Sequence, residues 1–168
     1  MALSMYQASV PVFIQLLTGL SAILDKTVAH AAGRKIDPAA FLGARLYPDM
    51  FPLVRQVQLA ADFAKNAGAR LAGVDLPKFP NTEASFEELK ERLDKTLAFL
   101  KGLKPGQIDG SEGRDITLAI GGEQKTLTGK KYLLANAMPN FYFHLTTAYV
   151  ILRHNGVEIG KRDFLGTP

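Results

Sequence analysis

Apolar side chains recur at helical spacing in four long stretches, interrupted once by a run that alternates. The first stretch, residues 4 to 32, carries Tyr6, Val10, Phe13, Leu16, Leu17, Leu20, Ile23, Leu24, Thr27 and Val28. A stripe of that period predicts a long helix of the bundle type. Ser4 is placed to cap it and Gly33 to end it. Pro11 either kinks this helix or marks its true first turn, because proline has no N–H to give a helix interior.

Asp37-Pro38 has the pairing of an N-cap and a first helical residue, which predicts a short helix to about Arg45. Pro48 and Pro52 cannot both lie inside a helix, so Leu46 to Pro52 reads as a turn, with Asp49 as the expected cap of the next element. From Pro52 to Leu71, apolar residues including Leu53, Val54, Val57, Ala60, Ala61, Phe63, Ala64 and Ala67 predict a second long helix that Gly73 ends. Its alanines allow close approach of a neighbour. A proline-pinned connection, Leu76 to Asn81, leads to Ser85-Phe86-Glu87-Glu88, which matches a capping box. Phe86, Leu89, Leu93, Leu97, Leu100 and Leu103 then form a narrow stripe, with Glu87, Lys90, Glu91, Asp94 and Lys95 on the solvated face. Lys104-Pro105-Gly106 stops this third helix.

Residues 114 to 120 alternate with period two, and Gly121-Gly122 supplies the positive φ of a tight turn, so Glu123 to Thr128 is expected to return as a second strand. Thr128 then caps a last helix running to about His154 and closing at Asn155-Gly156. Pro139 lies inside it and is expected to bend it. The tail, Val157 to Pro168, shows no periodicity and is expected to lie along the surface. The count is four long helices and one small β-hairpin (about 114–128): an all-α helix bundle, read as one domain over residues 1–168.

Composition narrows the possibilities. The chain has 168 residues, 47% hydrophobic and 21% charged, enough for one sizeable core. Its net charge of +4 is spread out, without the basic stripe and interleaved aromatics of a nucleic-acid surface. There is no cysteine, which excludes disulfides, thiolate catalysis and cysteine-based zinc sites. No secretory pattern opens the chain, the apolar runs are short of a membrane span, and a cytoplasmic location follows as the default. Dinucleotide-binding, P-loop, His-Glu-x-x-His and nucleophile-elbow motifs are all missing.

Candidate chemistry centres on His144, which shares a helix face with Ala137, Phe141, Ala148 and Ile151 and so points inward. It reads either as a buried histidine satisfied by one partner or as a metal ligand or general base. His154 and His30 sit at helix ends and read as structural. Asp49 is first an N-cap and second a partner for His144. Gln56 and Asn140 are expected to project inward, Gln15 less so. Asp25 and Asp62 belong on polar shoulders. Tyr6, Met50, Tyr142 and Tyr149 are candidates to line a pocket.

The final helix, from His144 through Leu152-Arg153 to Gly156, resembles that of the DinB/YfiT-like superfamily. The segments Ser4 to Pro11, Pro48 to Leu53, Ile108 to Glu112 and Gly160 to Gly166 resemble an uncharacterised branch of it, a domain of unknown function. The resemblance implies an up-down-down-up four-helix bundle, often a homodimer, with a divalent metal in many relatives. Those relatives use one histidine on the second long helix and a pair four residues apart on the last. Here the second of the pair corresponds to His144, Asn140 stands at the first, and Asp49 or Gln56 is the nearest substitute on the remaining side. Some relatives with an intact site are thiol-dependent transferases.

Three readings follow. The first is a bundle with a degenerate, metal-free pocket around Tyr6, Asp49, Met50, Gln56, Asn140 and His144, binding a small ligand or acting as a stress-associated accessory protein. The second is a transferase or hydrolase in which His144, with Asp49, Asn140 or Gln56, holds zinc, nickel or iron and activates a thiol or water. The third is a structural homodimer without catalysis. Partners of the nucleic-acid or membrane kind are not expected.

Overall fold

The first long helix, α1 (Val10–Arg34), begins later than the apolar stripe suggests. Pro11 settles in its first turn, where a missing N–H is no loss. Ser4 caps a preceding turn instead, its hydroxyl accepting from the Gln7 N–H at 3.2 Å. Lys35 rather than Gly33 takes the left-handed position that ends α1, with φ of 55°. These elements belong to a computed structural model that describes residues 3–167.

Asp37 caps α2 (Pro38–Leu42), its carboxylate accepting from the Ala39 N–H at 2.9 Å; the helix is shorter than its sequence suggests. The expected capping role of Asp49 is not found. The next helix, α3 (Leu53–Ala72), has Pro52 at its N-cap position with no side-chain bond, and Asp49 is exposed in the turn before it. Gly73, at φ of 68°, ends α3. Ser85 caps α4 (Phe86–Gly102), its Oγ accepting from the Glu88 N–H at 3.1 Å. A single turn, α5 (Pro105–Ile108), follows.

β1 (Asp115–Ile120) and β2 (Glu123–Thr128) pair antiparallel, with Ile116 opposite Leu127 and Ile120 opposite Glu123. Gly121 and Gly122 both have positive φ (61° and 84°), the turn geometry whose twist suits a two-residue hairpin. Thr128 caps α6 (Gly129–Tyr132), and the helix continues through a π turn (Leu133–Ala137) into α7 (Met138–His154).

That π turn is how the helix accommodates Pro139. An α-helix would ask Pro139 for an N–H it lacks and press its ring on the carbonyl of Ala135. Widening the turn lets the Met138 N–H bond the Leu133 carbonyl instead. It has a packing consequence too. Residues four apart drift by about 40° per step around an α-helix. Absorbing one extra residue cancels much of this drift, so Leu133, Ala137, Phe141 and Leu145 all stay buried.

α3 packs chiefly along α7 and α4, while α1 packs along α4. Alanines 60, 61, 64 and 67 are fully buried in α3, and a Cβ at Gly68 would come within 2.8 Å of Leu103, so close approach needs these small residues. Phe13 and Phe141 meet edge to face at 4.9 Å across the core. By length and hydropathy α1 would be long enough to cross a membrane, contrary to the reading from its short apolar runs. Here its stripe of Phe13, Leu17, Leu20 and Leu24 is buried in the core.

The tail also departs from expectation. Val157 and Ile159 are buried, and α8 (Lys161–Leu165) docks on α1. Gln15 donates from Nε2 to the Leu165 carbonyl at 2.8 Å, Lys26 pairs with Asp163 at 2.6 Å, and Phe164 meets Tyr149 edge on. No helical periodicity announces a five-residue helix, whose place is set by what it lands on.

Candidate functional site

His144 lies on α7 one turn after Phe141, and 9% of it is exposed. Its Nδ1 is 2.7 Å from Oε1 of Gln56 on α3. Gln56 is itself buried, and its Nε2 donates to the Phe51 carbonyl at 3.2 Å. That second bond settles the tautomer. A carbonyl can only accept, so the NH2 of Gln56 faces Phe51 and its oxygen faces His144. Nδ1 must then carry the proton, leaving Nε2 as an acceptor. Nε2 has no hydrogen bond among the described residues and is not among their fully enclosed unpartnered atoms. Phe63 stacks on the imidazole at 5.6 Å and 13°, and Phe143 meets it edge on at 5.2 Å. Two rings and one amide therefore hold the histidine in a single orientation.

Burial lowers the His144 pKa below its ordinary 6.5, and the positive charge of Arg55 lowers it further. The unfolded chain thus takes up this proton at a higher pH than the folded one. The stability that neutral His144 preserves is present above about 6.5 and is lost as pH falls through the folded value. Urea unfolding of wild type and His144→Gln at about pH 7.5 and about pH 5 is expected to show wild type losing more on acidification. Equal losses would remove His144 from the acid response.

The other sequence candidates are dispersed. Asn140 donates from Nδ2 to the Asn136 carbonyl at 2.8 Å, bracing the π turn rather than joining His144. Asp49 is exposed, and the carbonyl-to-amide chain through Phe51 and Gln56 occupies the partner position proposed for it. Met50 is half-buried and Tyr6 binds Asp109 through its backbone N–H at 2.9 Å. Tyr142 is exposed and Tyr149 packs on Phe164. His154 is exposed at the end of α7, and His30 packs edge on against Phe41. Cavities of about 570, 520 and 220 Å³ are lined by other residues, between α1, α2 and α4, at the α1–α8 contact, and beside Arg92.

The structure adds a polar network beside this site. Arg92 of α4 is 2% exposed and donates to Asp62 and Glu83, each at 2.8 Å, and to the Pro80 carbonyl at 3.0 Å. Asp62 also takes Lys65 at 2.8 Å, so it sits in a charged cluster rather than on a solvated shoulder. Asp25 stays on the surface, paired with Lys90. Gln58 joins the network to Arg55, donating to Glu83 and accepting from Arg55. One signal was available: Arg92 falls inside the stripe between Leu89, Leu93 and Thr96, where a charged residue must be paired to be buried.

These residues do not fit the three-histidine metal centre that the family resemblance implies. The site offers one imidazole, one amide oxygen already bonded to it, and the nearby charge of Arg55. Among the described residues, no three histidine, aspartate or glutamate side chains converge.

Comparison with known proteins places the chain. The model of the family described as Domain of unknown function (DUF1993) matches residues 5–165. A solved structure, the crystal structure of a DinB family member protein from Shewanella denitrificans, is 41% identical. The match covers 97% of this chain and 92% of that one, with a TM-score of 0.89. No curated protein matches the chain. With its family model spanning nearly the whole sequence and this likeness to a DinB family member, the chain belongs to the DUF1993 family, within the DinB-like superfamily.

Proposed function

We propose that this protein is an up-down-down-up four-helix bundle, working in the cytoplasm, that binds a small molecule at His144 without a metal ion. The observation that carries the reading is the bond from Nδ1 to Gln56 at 2.7 Å, which leaves Nε2 as a fixed acceptor with no partner among the described residues. A neutral imidazole held in one tautomer is suited to accept a hydrogen bond from a ligand. Metal binding would require further ligands, and the charge of Arg55 opposes a cation here.

Elemental analysis of untagged protein after incubation with zinc, nickel, manganese and iron tests this. Metal at background in both wild type and His144→Gln is the expected result. Near-stoichiometric metal in wild type that disappears in His144→Gln would overturn the reading in favour of a metal-dependent transferase or hydrolase.

A further inference from the structure

Charged side chains around this site are matched with one exception. Arg92 has Asp62 and Glu83, and Lys65 has Asp62. Arg55 has no carboxylate within ion-pair distance among the described residues. Its guanidinium gives one hydrogen bond, from Nη1 to the neutral Oε1 of Gln58 at 3.2 Å, and lies 5.9 Å above the Phe51 ring. A guanidinium has five N–H donors in a planar fork that matches a carboxylate. Most of that fork is unused, and the residue is half-buried.

Arg55 and His144 Nε2 belong to one locality. Gln56, the residue after Arg55, bonds His144 on one side and the Phe51 carbonyl on the other. The Phe51 ring under the guanidinium is 53% exposed, and the Phe143 ring against His144 is 55% exposed. A half-buried cation without a counter-charge, a free acceptor and two open aromatic rings thus lie around Gln56.

We infer that the His144 site takes a small carboxylic acid with a flat apolar body and a hydroxyl group. The carboxylate pairs with Arg55, the hydroxyl donates to His144 Nε2, and the body lies on Phe51 and Phe143. Each half excludes simpler ligands. An anion with no proton to give, such as sulfate, would answer Arg55 and leave the imidazole lone pair facing negative charge. A neutral alcohol would answer His144 and leave the fork empty. The inference rests on the reading that His144 is not a metal ligand.

Calorimetric titration of the full chain with 4-hydroxyphenylacetate, phenylacetate and tyrosol separates the terms, because these probes have both groups, only the carboxylate, and only the hydroxyls. Saturable binding of 4-hydroxyphenylacetate is expected, weakened roughly tenfold or more in both Arg55→Met and Arg55→Gln. Its preference over phenylacetate is expected to vanish in His144→Gln, and its addition to move the Nε2 nitrogen resonance of wild type. Failure of 4-hydroxyphenylacetate to bind, or equal binding of tyrosol, overturns the inference. So does unchanged affinity in both Arg55 variants. If metal content is at background in those same preparations, the metal-free reading survives the loss. Stoichiometric metal would defeat that reading first.

Discussion

Replacing Arg92 with alanine is expected to lower stability by about 3–5 kcal/mol, the usual cost of removing one partner from a buried ion pair. Arg92 is 2% exposed and serves two carboxylates at once. Burial alone would raise the Glu83 carboxyl above its ordinary 4.5; hydrogen bonds from Arg92, its own backbone and Gln58, with the Arg92 charge, outweigh this and lower it. Without the guanidinium, Glu83 keeps only the Gln58 amide as a side-chain partner, the Pro80 carbonyl loses its donor, and Asp62 keeps only Lys65. Lysine at this position would carry the charge but could not fork between Asp62, Glu83 and Pro80, so Arg92→Lys should lie between wild type and alanine. Urea unfolding at neutral pH measures the loss. The gap between wild type and Arg92→Ala should narrow on acidification. Glu83 has a depressed folded pKa, so its contribution is present above 4.5 and lost as pH falls through the folded value. A loss below about 1 kcal/mol would mean that the pairs are as weak as exposed ones.

A single methyl group at position 129 should be nearly as damaging. Gly129 opens the last helix against the chain segment before the hairpin, where Ser111 is buried and the Lys130 N–H donates to the Glu112 carbonyl at 3.0 Å. A Cβ there would fall on the Ser111 carbonyl oxygen and 3.0 Å from its carbon. Backbone cannot rotate aside as a side chain can, so either the hairpin segment or α6 must move. We expect Gly129→Ala to cost about 3 kcal/mol, the upper end for overpacking. Gly33→Ala is the control: nothing lies within 4 Å of a Cβ there, and the change inside α1 should stabilise by roughly 0.5–1 kcal/mol. Thermal unfolding of the two variants side by side tests the pair. Similar melting temperatures would show that the segment at Ser111 yields easily.

The legible features share one physical basis. Ser85, Asp37 and Thr128 are recognisable as caps because a short side chain and an N–H two or three residues on are enough to make the bond. Gly121-Gly122 is recognisable as a turn because its backbone geometry is local. The positions where the structure differs from expectation depend on something distant. Asp49 has the residue type of a cap, but the chain at Pro52 begins α3 without a side-chain bond. Pro139 announced a disturbance; whether it would be a kink or a π turn depended on which face α7 had to keep against α3.

For the site, the sequence by itself determined that an inward-facing histidine would sit on the last helix, because the period of its apolar neighbours is a local property of the chain. It also determined the four long helices, the hairpin and most of their ends. Only the tertiary structure decided what His144 touches. Its partner, Gln56, lies 88 positions away, and two hydrogen bonds, one of them to the Phe51 carbonyl, set its tautomer. The pairing of Arg92 and the unpaired state of Arg55 were settled in the same way. Helix propensity and capping act over a few residues; the matching of buried charges and hydrogen bonds acts wherever packing brings the groups together.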